Sequence, residues 1–235
     1  MLSLPAMTSQ PVPFKLNSDP ALALSELCES HPNGVVFTTS LGLEDQVLTD
    51  IIWRNNLPIE IITLDTGRLF NETYDLIDKT KSRYNIKIKS YFPDTLSLEE
   101  FVNEQGMNSI FKSVTARKEC CRIRKIDPLL RSLDGAKVWV TGLRSDQSNN
   151  RNNLPRIEID SLTGLLKFNP LLTWTDSELD EYISENNVPI NSLHKKGMPS
   201  IGCAPCTRAI SDDEHPRAGR WWWENSSQEC GLHKG

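Results

Sequence analysis

Along the chain, short β-branched runs alternate with longer stretches whose apolar residues recur at helical spacing. Val35-Val36-Phe37-Thr38-Thr39 leads through Ser40-Leu41-Gly42 into an amphipathic stretch over 44–54, which predicts strand, loop and helix. The pattern returns as a strand over 59–64, the turn Asp65-Thr66-Gly67-Arg68 and a helix over 71–84. Residues 86–91 read as a third strand. Ser97-Leu98-Glu99-Glu100 reads as a capping box opening a helix that Gly106 ends. A fourth strand covers 137–141, and ahead of all this Ser18-Asp19-Pro20 starts a helix over 21–30 that His31-Pro32-Asn33-Gly34 stops. Such alternation predicts an α/β fold, a parallel sheet flanked by helices.

After Gly142 the regularity weakens. Residues 156–160 and 165–168, joined across Thr163-Gly164, fit a hairpin at one sheet edge, and Thr175-Asp176-Ser177-Glu178 caps a last helix ending near Asn187. From Val188 on, Pro189, Gly197, Pro199, Gly202, Pro205, Pro216 and Gly219 predict loop, and order there requires a staple such as a metal centre. In an open α/β sheet, ligands sit where loops leave the C-terminal strand ends. The loops at 40–45, 65–68 and 142–151 occupy those positions. Ser40 and Gly42 offer a hydroxyl and backbone donors at a helix start, which suits phosphate but is equally ordinary cap chemistry.

The 235 residues, 38% hydrophobic, suffice for one core. We expect one domain over 1–223 that includes any metal centre, and a mobile tail over 224–235. No apolar run reaches transmembrane length, and the start lacks a basic region ahead of an apolar one, so a cytoplasmic protein without membrane contact is expected. The net charge of -5 argues against nucleic acid as partner. Positive charge is nevertheless concentrated at Arg117, Lys118, Arg122, Arg124, Lys125 and Arg131, which favours a small anionic ligand. Cys120-Cys121 and Cys203-Ala204-Pro205-Cys206 have the spacing of metal ligands, and Cys230 stands apart as a candidate reactive thiol. Spacing alone leaves a four-sulfur zinc site open beside an iron-sulfur cluster. Cys28, on the apolar side of the first helix, reads as a small core residue.

Five segments resemble one family. Thr39-Ser40-Leu41-Gly42-Leu43-Glu44-Asp45-Gln46, Leu64-Asp65-Thr66-Gly67-Arg68-Leu69, Lys118-Glu119-Cys120-Cys121-Arg122, Ser200-Ile201-Gly202-Cys203-Ala204-Pro205-Cys206-Thr207-Arg208 and Glu229-Cys230-Gly231-Leu232-His233 are similar, in order, to the thioredoxin-dependent adenylylsulfate and phosphoadenylylsulfate reductases. The resemblance implies an adenine nucleotide alpha hydrolase-like fold related to the ATP pyrophosphatases, with a degenerate phosphate loop at Ser40 and Gly42. It also implies one [4Fe-4S] cluster on Cys120, Cys121, Cys203 and Cys206, in a C-terminal iron-sulfur segment. Members with both cysteine pairs usually prefer adenosine 5'-phosphosulfate, which they reduce to sulfite and AMP for cysteine biosynthesis.

By the same resemblance Cys230 attacks the sulfur of the phosphosulfate and becomes an S-sulfocysteine, which thioredoxin then reduces. Lys125, Arg144, Arg151, Arg217 and Arg220 are the implied phosphosulfate contacts, and Leu64, Asp65, Thr66 and Gly67 shape the adenine and ribose pocket. Trp221, Trp222 and Trp223 read as packing residues, and His233 has no assigned role. Three alternatives stay open: a preference for 3'-phosphoadenosine 5'-phosphosulfate, an ATP pyrophosphatase activity, and a non-enzymatic iron-sulfur sensor that binds a nucleotide. Homo-oligomerisation is left open by the sequence.

Overall fold

Val35–Thr39 (β1), Glu60–Leu64 (β2), Lys89–Tyr91 (β3), Val138–Val140 (β4), Ile157–Ile159 (β5) and Leu166–Phe168 (β6) form one sheet in the order β3-β2-β1-β4-β6-β5. The computed structural model describes residues 16–147 and 154–224. Every neighbouring pair is parallel except β5 and β6, which run antiparallel with Ile157 opposite Phe168 and Ile159 opposite Leu166. Strands buried on both faces need near-continuous apolar runs, which Val35-Val36-Phe37 and Val138-Trp139-Val140 supply.

Seven α-helices accompany the strands among the described residues: Pro20–Ser30 (α1), Leu43–Arg54 (α2), Asn71–Tyr84 (α3), Thr95–Gln105 (α4), Val114–Cys121 (α5), Asp127–Ser132 (α6) and Asp176–Asn186 (α7). One sheet face packs Phe37, Val140 and Phe168 against Leu24, Leu27, Val47, Leu48 and Ile51, and the other packs Val36, Ile62 and Trp139 against Leu129 and Leu133. Asp50 on α2 accepts from Tyr84 Oη at 2.9 Å and Tyr182 Oη at 2.8 Å, which joins α3 and α7 to α2 through one buried carboxylate. No described helix is long and apolar enough to cross a membrane.

The hairpin and the α7 capping box follow the expected pattern: Thr175 N donates to Glu178 Oε2 at 2.7 Å, and Glu178 N donates to Thr175 Oγ1 at 3.2 Å. Three elements differ. β3 is three residues long, because Ile86 and Ile88 leave the ladder to pack against the core. Helix α4 begins at Thr95 and is capped by Asp94, whose Oδ1 accepts from Ser97 N at 3.0 Å and Ser97 Oγ at 2.8 Å, so Ser97 is a partner of the cap. The charge run near the first cysteine pair forms the continuous helical stretch of α5, a π-helical turn Arg122–Ile126 and α6. A π turn shifts the helical register immediately after Cys120-Cys121, a distortion often found at functional sites.

The chain runs outward from β1 to β2 and β3, then returns to β4 on the other flank of β1, so the loops after β1 and β4 lie side by side. Leu41 is buried with φ +62°, and the next residue, Gly42, caps α2. Ser40 N and Ser40 Oγ donate to Asp45 Oδ2 at 2.5 and 2.7 Å, folding the loop back on its own helix. A Cβ at Gly142 would lie 2.1 Å from Asp45 Oδ1, so a glycine is required where the two loops meet.

Burial pushes the Asp45 carboxyl up to about 6, with the Ser40 donors opposing and Glu44 adding to the rise. A folded-state value above the unfolded one binds protons preferentially in the native state, so this contribution to stability is complete near pH 4 and lost as pH rises through 6. Asp45→Asn should therefore gain on the parent by about 2 kcal/mol in urea unfolding between pH 4.5 and 7.5. A stability difference that stays constant across that interval would show that Asp45 titrates normally.

Candidate functional site

Two distant stretches of chain bring their cysteines to one cavity. Cys120 and Cys121 end α5, and Cys203 and Cys206 bracket the 3-10 turn Ala204–Cys206. The four sulfur-bearing residues line this cavity with Arg68, Ile110, Arg117, Arg124, Lys125 and Pro205. Cys120, Cys203 and Cys206 are buried and Cys121 is half-buried, and the described cysteines form no disulfide. Among the described residues no group of three or more His, Cys, Asp or Glu side chains stands in metal-holding geometry.

The cavity concentrates soft ligands and positive charge. Burial pushes the Cys206 thiol up to about 11, with Cys203 adding to the rise and Lys125 and Arg220 opposing it. Burial raises Cys120 as well, against the pull of Arg124. Trp221 lies in the same apolar cluster as Cys120, Cys203 and Cys206, and its ring has the guanidinium carbons of Arg117 and Arg220 at 4.8 and 4.6 Å from its centroid. Its Nε1 is buried without an acceptor among the described residues, as is Arg124 Nε. Each is a donor whose burial is costly unless something in the cavity accepts from it.

The turn after β2 is bonded directly to the second cysteine pair and, through Arg124, to the helical stretch that carries the first. Thr66 Oγ1 lies 3.2 Å from Cys203 Sγ, Ala204 N donates to the Arg68 carbonyl at 2.8 Å, and Arg124 Nη1 donates to the Thr66 carbonyl at 2.5 Å. Asp65 fixes the shape of that turn, because its Oδ1 accepts from Gly67 N at 2.8 Å and Tyr74 Oη at 2.9 Å. Leu64, the last residue of β2, pairs with Tyr91. Leu64, Asp65, Thr66 and Gly67 thus form one wall running from the sheet to the sulfurs.

Among the cationic residues read from the sequence, Lys125 lines the cavity. Arg220 is buried against Gly202, where a Cβ would sit 2.2 Å from Arg220 Nη2, and its Nε donates to the Cys206 carbonyl at 3.4 Å. The glycine of the Gly202-Cys203 pair therefore leaves room for a guanidinium. Arg217, half-buried, lies in the preceding turn, where its N donates to His215 Nδ1 at 3.1 Å. Arg144 lies elsewhere: it is buried at the switch point and donates to Glu44 at 2.9 Å, Asp176 at 2.5 Å and the Trp174 carbonyl at 2.9 Å. Ser40 and Gly42 sit at that same switch point. Cys28 packs in the main core, Trp221 is buried and Trp222 is exposed. Arg151, Cys230 and His233 lie outside the described residues.

The structure also brings in residues that the sequence reading left without a role. Arg117 and Arg124 line the cavity, and Glu224 pairs with Arg117, its Oε1 and Oε2 accepting at 2.9 and 2.7 Å. Read as a helix, residues 114–121 would have placed Arg117 and Cys120 three apart on one face, so a signal for Arg117 was present. Nothing in the local pattern of Trp-Trp-Trp-Glu pointed to Glu224, whose partner is 107 residues away.

The phosphoadenosine phosphosulfate reductase domain family matches residues 34–209. Curated relatives with 44 to 53% identity carry the name adenosine 5'-phosphosulfate reductase. One of them, from Rhizobium meliloti strain 1021, is 53% identical over 199 residues, covering 84% of this chain and 75% of its own. A phosphoadenylyl-sulfate reductase from Candida auris, solved as a phosphate complex, superposes with a TM-score of 0.68 at 32% identity, over 80% of this chain and 89% of that one. The FMN adenylyltransferase of Candida glabrata shares the fold, with a TM-score of 0.56 at 17% identity over 92% of this chain and 74% of its own. Similarity over most of the chain, with a β2 turn bonded to Cys203 and Arg124 where the two cysteine pairs converge, places this protein in the phosphoadenosine phosphosulfate reductase family.

Proposed function

We propose that this chain reduces adenosine 5'-phosphosulfate to sulfite and AMP, with Cys230 as nucleophile and a thioredoxin as two-electron donor, in cytoplasmic sulfate assimilation. The observation that carries the reading is the bonding of the Asp65-Thr66-Gly67 turn to Cys203 and Arg124. A turn placed for a nucleotide is thereby joined to a cysteine centre rich in cations. The names of the relatives favour the substrate without a 3'-phosphate.

Four thiols on one cavity, two of them adjacent in sequence, are the donor set of a cubane cluster, and the acceptorless Trp221 Nε1 and Arg124 Nε fit inorganic sulfide as partner. In our reading Cys120, Cys121, Cys203 and Cys206 hold one [4Fe-4S] cluster. Bound there, it supplies fixed charge and sulfide acceptors that set the positions of the surrounding cations.

The chain's own residues carry the reaction. Leu64, Asp65, Thr66 and Gly67 shape the adenine and ribose pocket, and Gly42 opens α2 beside it, in a loop where Ser40 gives its donors to Asp45. Lys125, Arg217, Arg220 and Arg151 offset the negative charge of phosphate, sulfate and incoming thiolate, each worth on the order of 2 to 4 kcal/mol in the transition state, whereas Arg144, shared between Glu44 and Asp176, braces the switch point. The Cys230 thiolate forms an S–S bond to the sulfuryl sulfur as its S–O bond to phosphate breaks, and AMP leaves with that electron pair. A donor thiolate then attacks Cys230 Sγ and sulfite departs. The donor's second thiol resolves the mixed disulfide and returns Cys230 as thiolate, so the dithiol is oxidised as sulfur(VI) becomes sulfur(IV). Residues up to Glu224, which the Arg117 pair fixes and which was expected to open the tail, form the nucleotide and cysteine-centre unit, and the segment after Glu224 carries the nucleophile to it.

Cys230→Ser should abolish sulfite release, by more than about 1,000-fold, while nucleotide affinity and the visible absorption of the anaerobically purified protein persist. Sulfite release undiminished by this change would remove Cys230 from the mechanism. In an anaerobic assay with reduced thioredoxin, adenosine 5'-phosphosulfate should be turned over in preference to its 3'-phosphorylated form. The reverse preference would overturn the substrate assignment. Gly202→Ala should displace Arg220 and lower kcat/KM by about 10- to 100-fold with iron content retained, and Arg220→Lys should fall in the same range. Normal kinetics in both variants would show that Arg220 does not act on the substrate.

A further inference from the structure

The last described residue is held more firmly than its neighbours in sequence require. Arg117 donates to both oxygens of Glu224, at 2.9 and 2.7 Å, and the two side chains are 1% and 2% exposed. Glu224 holds Arg117 in its charged form against the cost of burial. Around the pair, Glu224 N donates to the Trp221 carbonyl at 2.8 Å, and Arg117 lies over the Trp221 ring. Phe111 contacts Trp223 with ring centroids 4.5 Å apart. A buried ion pair seldom repays its own desolvation, and an apolar pair of similar volume would serve stability as well. What an apolar pair would not supply is a fixed position and direction for the chain that leaves it.

That position matters because of where Arg117 stands. It precedes Cys120 by one helical turn on α5 and lines the same cavity as the four cysteines and Lys125. Cys230 follows Glu224 by six residues, so an extended chain carries its sulfur no farther than roughly 20 Å from the pair. A short tether gives an attached group an effective concentration in the millimolar range, which declines as roughly the −3/2 power of tether length once the span is exceeded. Releasing Glu224 would move the nearest fixed residue back toward Trp221 and lengthen the chain between it and Cys230 from six residues toward nine.

Resting on the function proposed above, we infer that the Arg117–Glu224 ion pair anchors the Cys230 segment, making Glu224 a positioning residue for the nucleophile. Its effect belongs to the encounter of thiolate and bound nucleotide, and leaves nucleotide affinity and the cysteine centre untouched.

The test is single-turnover formation of the Cys230 adduct, read by intact mass on the anaerobic holoenzyme at saturating adenosine 5'-phosphosulfate, with iron content and nucleotide Kd measured on the same samples. Glu224→Ala should slow adduct formation about two- to threefold, and Glu224→Gln less, with iron content and Kd unchanged from the parent. Four Gly-Ser residues inserted after Glu224 should slow the parent, and should cost less in the Glu224→Ala background, where the tether is already slack. Unchanged adduct rates in Glu224→Ala overturn the anchor, as does a fall in rate that only follows iron loss. A parent enzyme that forms no adduct at Cys230 overturns the proposed reaction and this role with it.

Discussion

The constraint on which the site depends is the attachment of an irregular C-terminal stretch to a regular sheet, and it runs through the contact between Thr66 and Cys203. From Val188 to Glu224 the described chain holds two 3-10 turns and one isolated bridge, Thr207 to Arg220, and no helix or strand that could dock by an apolar face of its own. Its order comes from a few bonds at the rim of the cysteine cavity: Thr66 to Cys203, Arg68 to Ala204, and Trp221 N to the Cys206 carbonyl at 3.3 Å. The turn that follows β2 is therefore both a wall of the proposed nucleotide site and the dock for the Cys203–Cys206 pair. Any change that moves one moves the other.

Charge explains why the dock is built from arginine. Arg117, Arg124 and Arg220 are buried around the cavity of a chain whose net charge is -5, and each burial costs free energy that water would otherwise supply. Arg117 recovers it from Glu224, and Arg124 in part from the Thr66 carbonyl. Arg220 has the Trp221 ring and the Cys206 carbonyl. Protonated thiols would leave the remaining positive charge uncompensated, whereas thiolates on a metal centre would balance it. In the thiolate state the sulfurs and the cations would stabilise one another's charged forms.

Much of the fold was legible because its strands follow simple periodicity. The loops after β1, β2 and β4 stood where a doubly wound sheet puts its ligand, and 71–84 matched a helix to the residue. Legibility failed where tertiary contacts override local pattern. Ile86 and Ile88 satisfied a strand template but are needed by the core, which shortens β3. In the candidate site, the cysteine spacing announced ligands and the basic run announced an anion. The π turn, the Arg124 bond to Thr66 and the Glu224 partner of Arg117 depend on residues far apart in sequence, and no window of the chain contains both members.

The two ends of the nucleotide site are built differently, and this divides their work. At the switch point the charges are already matched within the fold: Ser40 gives its donors to Asp45, and Arg144 is shared between Glu44 and Asp176. A carboxylate of α2 thus stands beside a helix start whose dipole would by itself suit an anion, and buried Leu41 holds the loop at φ +62°. The other end, at the cysteine cavity, brings Lys125 and three arginines together around acceptorless N–H groups. The charge not already matched within the fold is therefore gathered at the sulfurs and away from the switch point, where Arg144 has both its carboxylates.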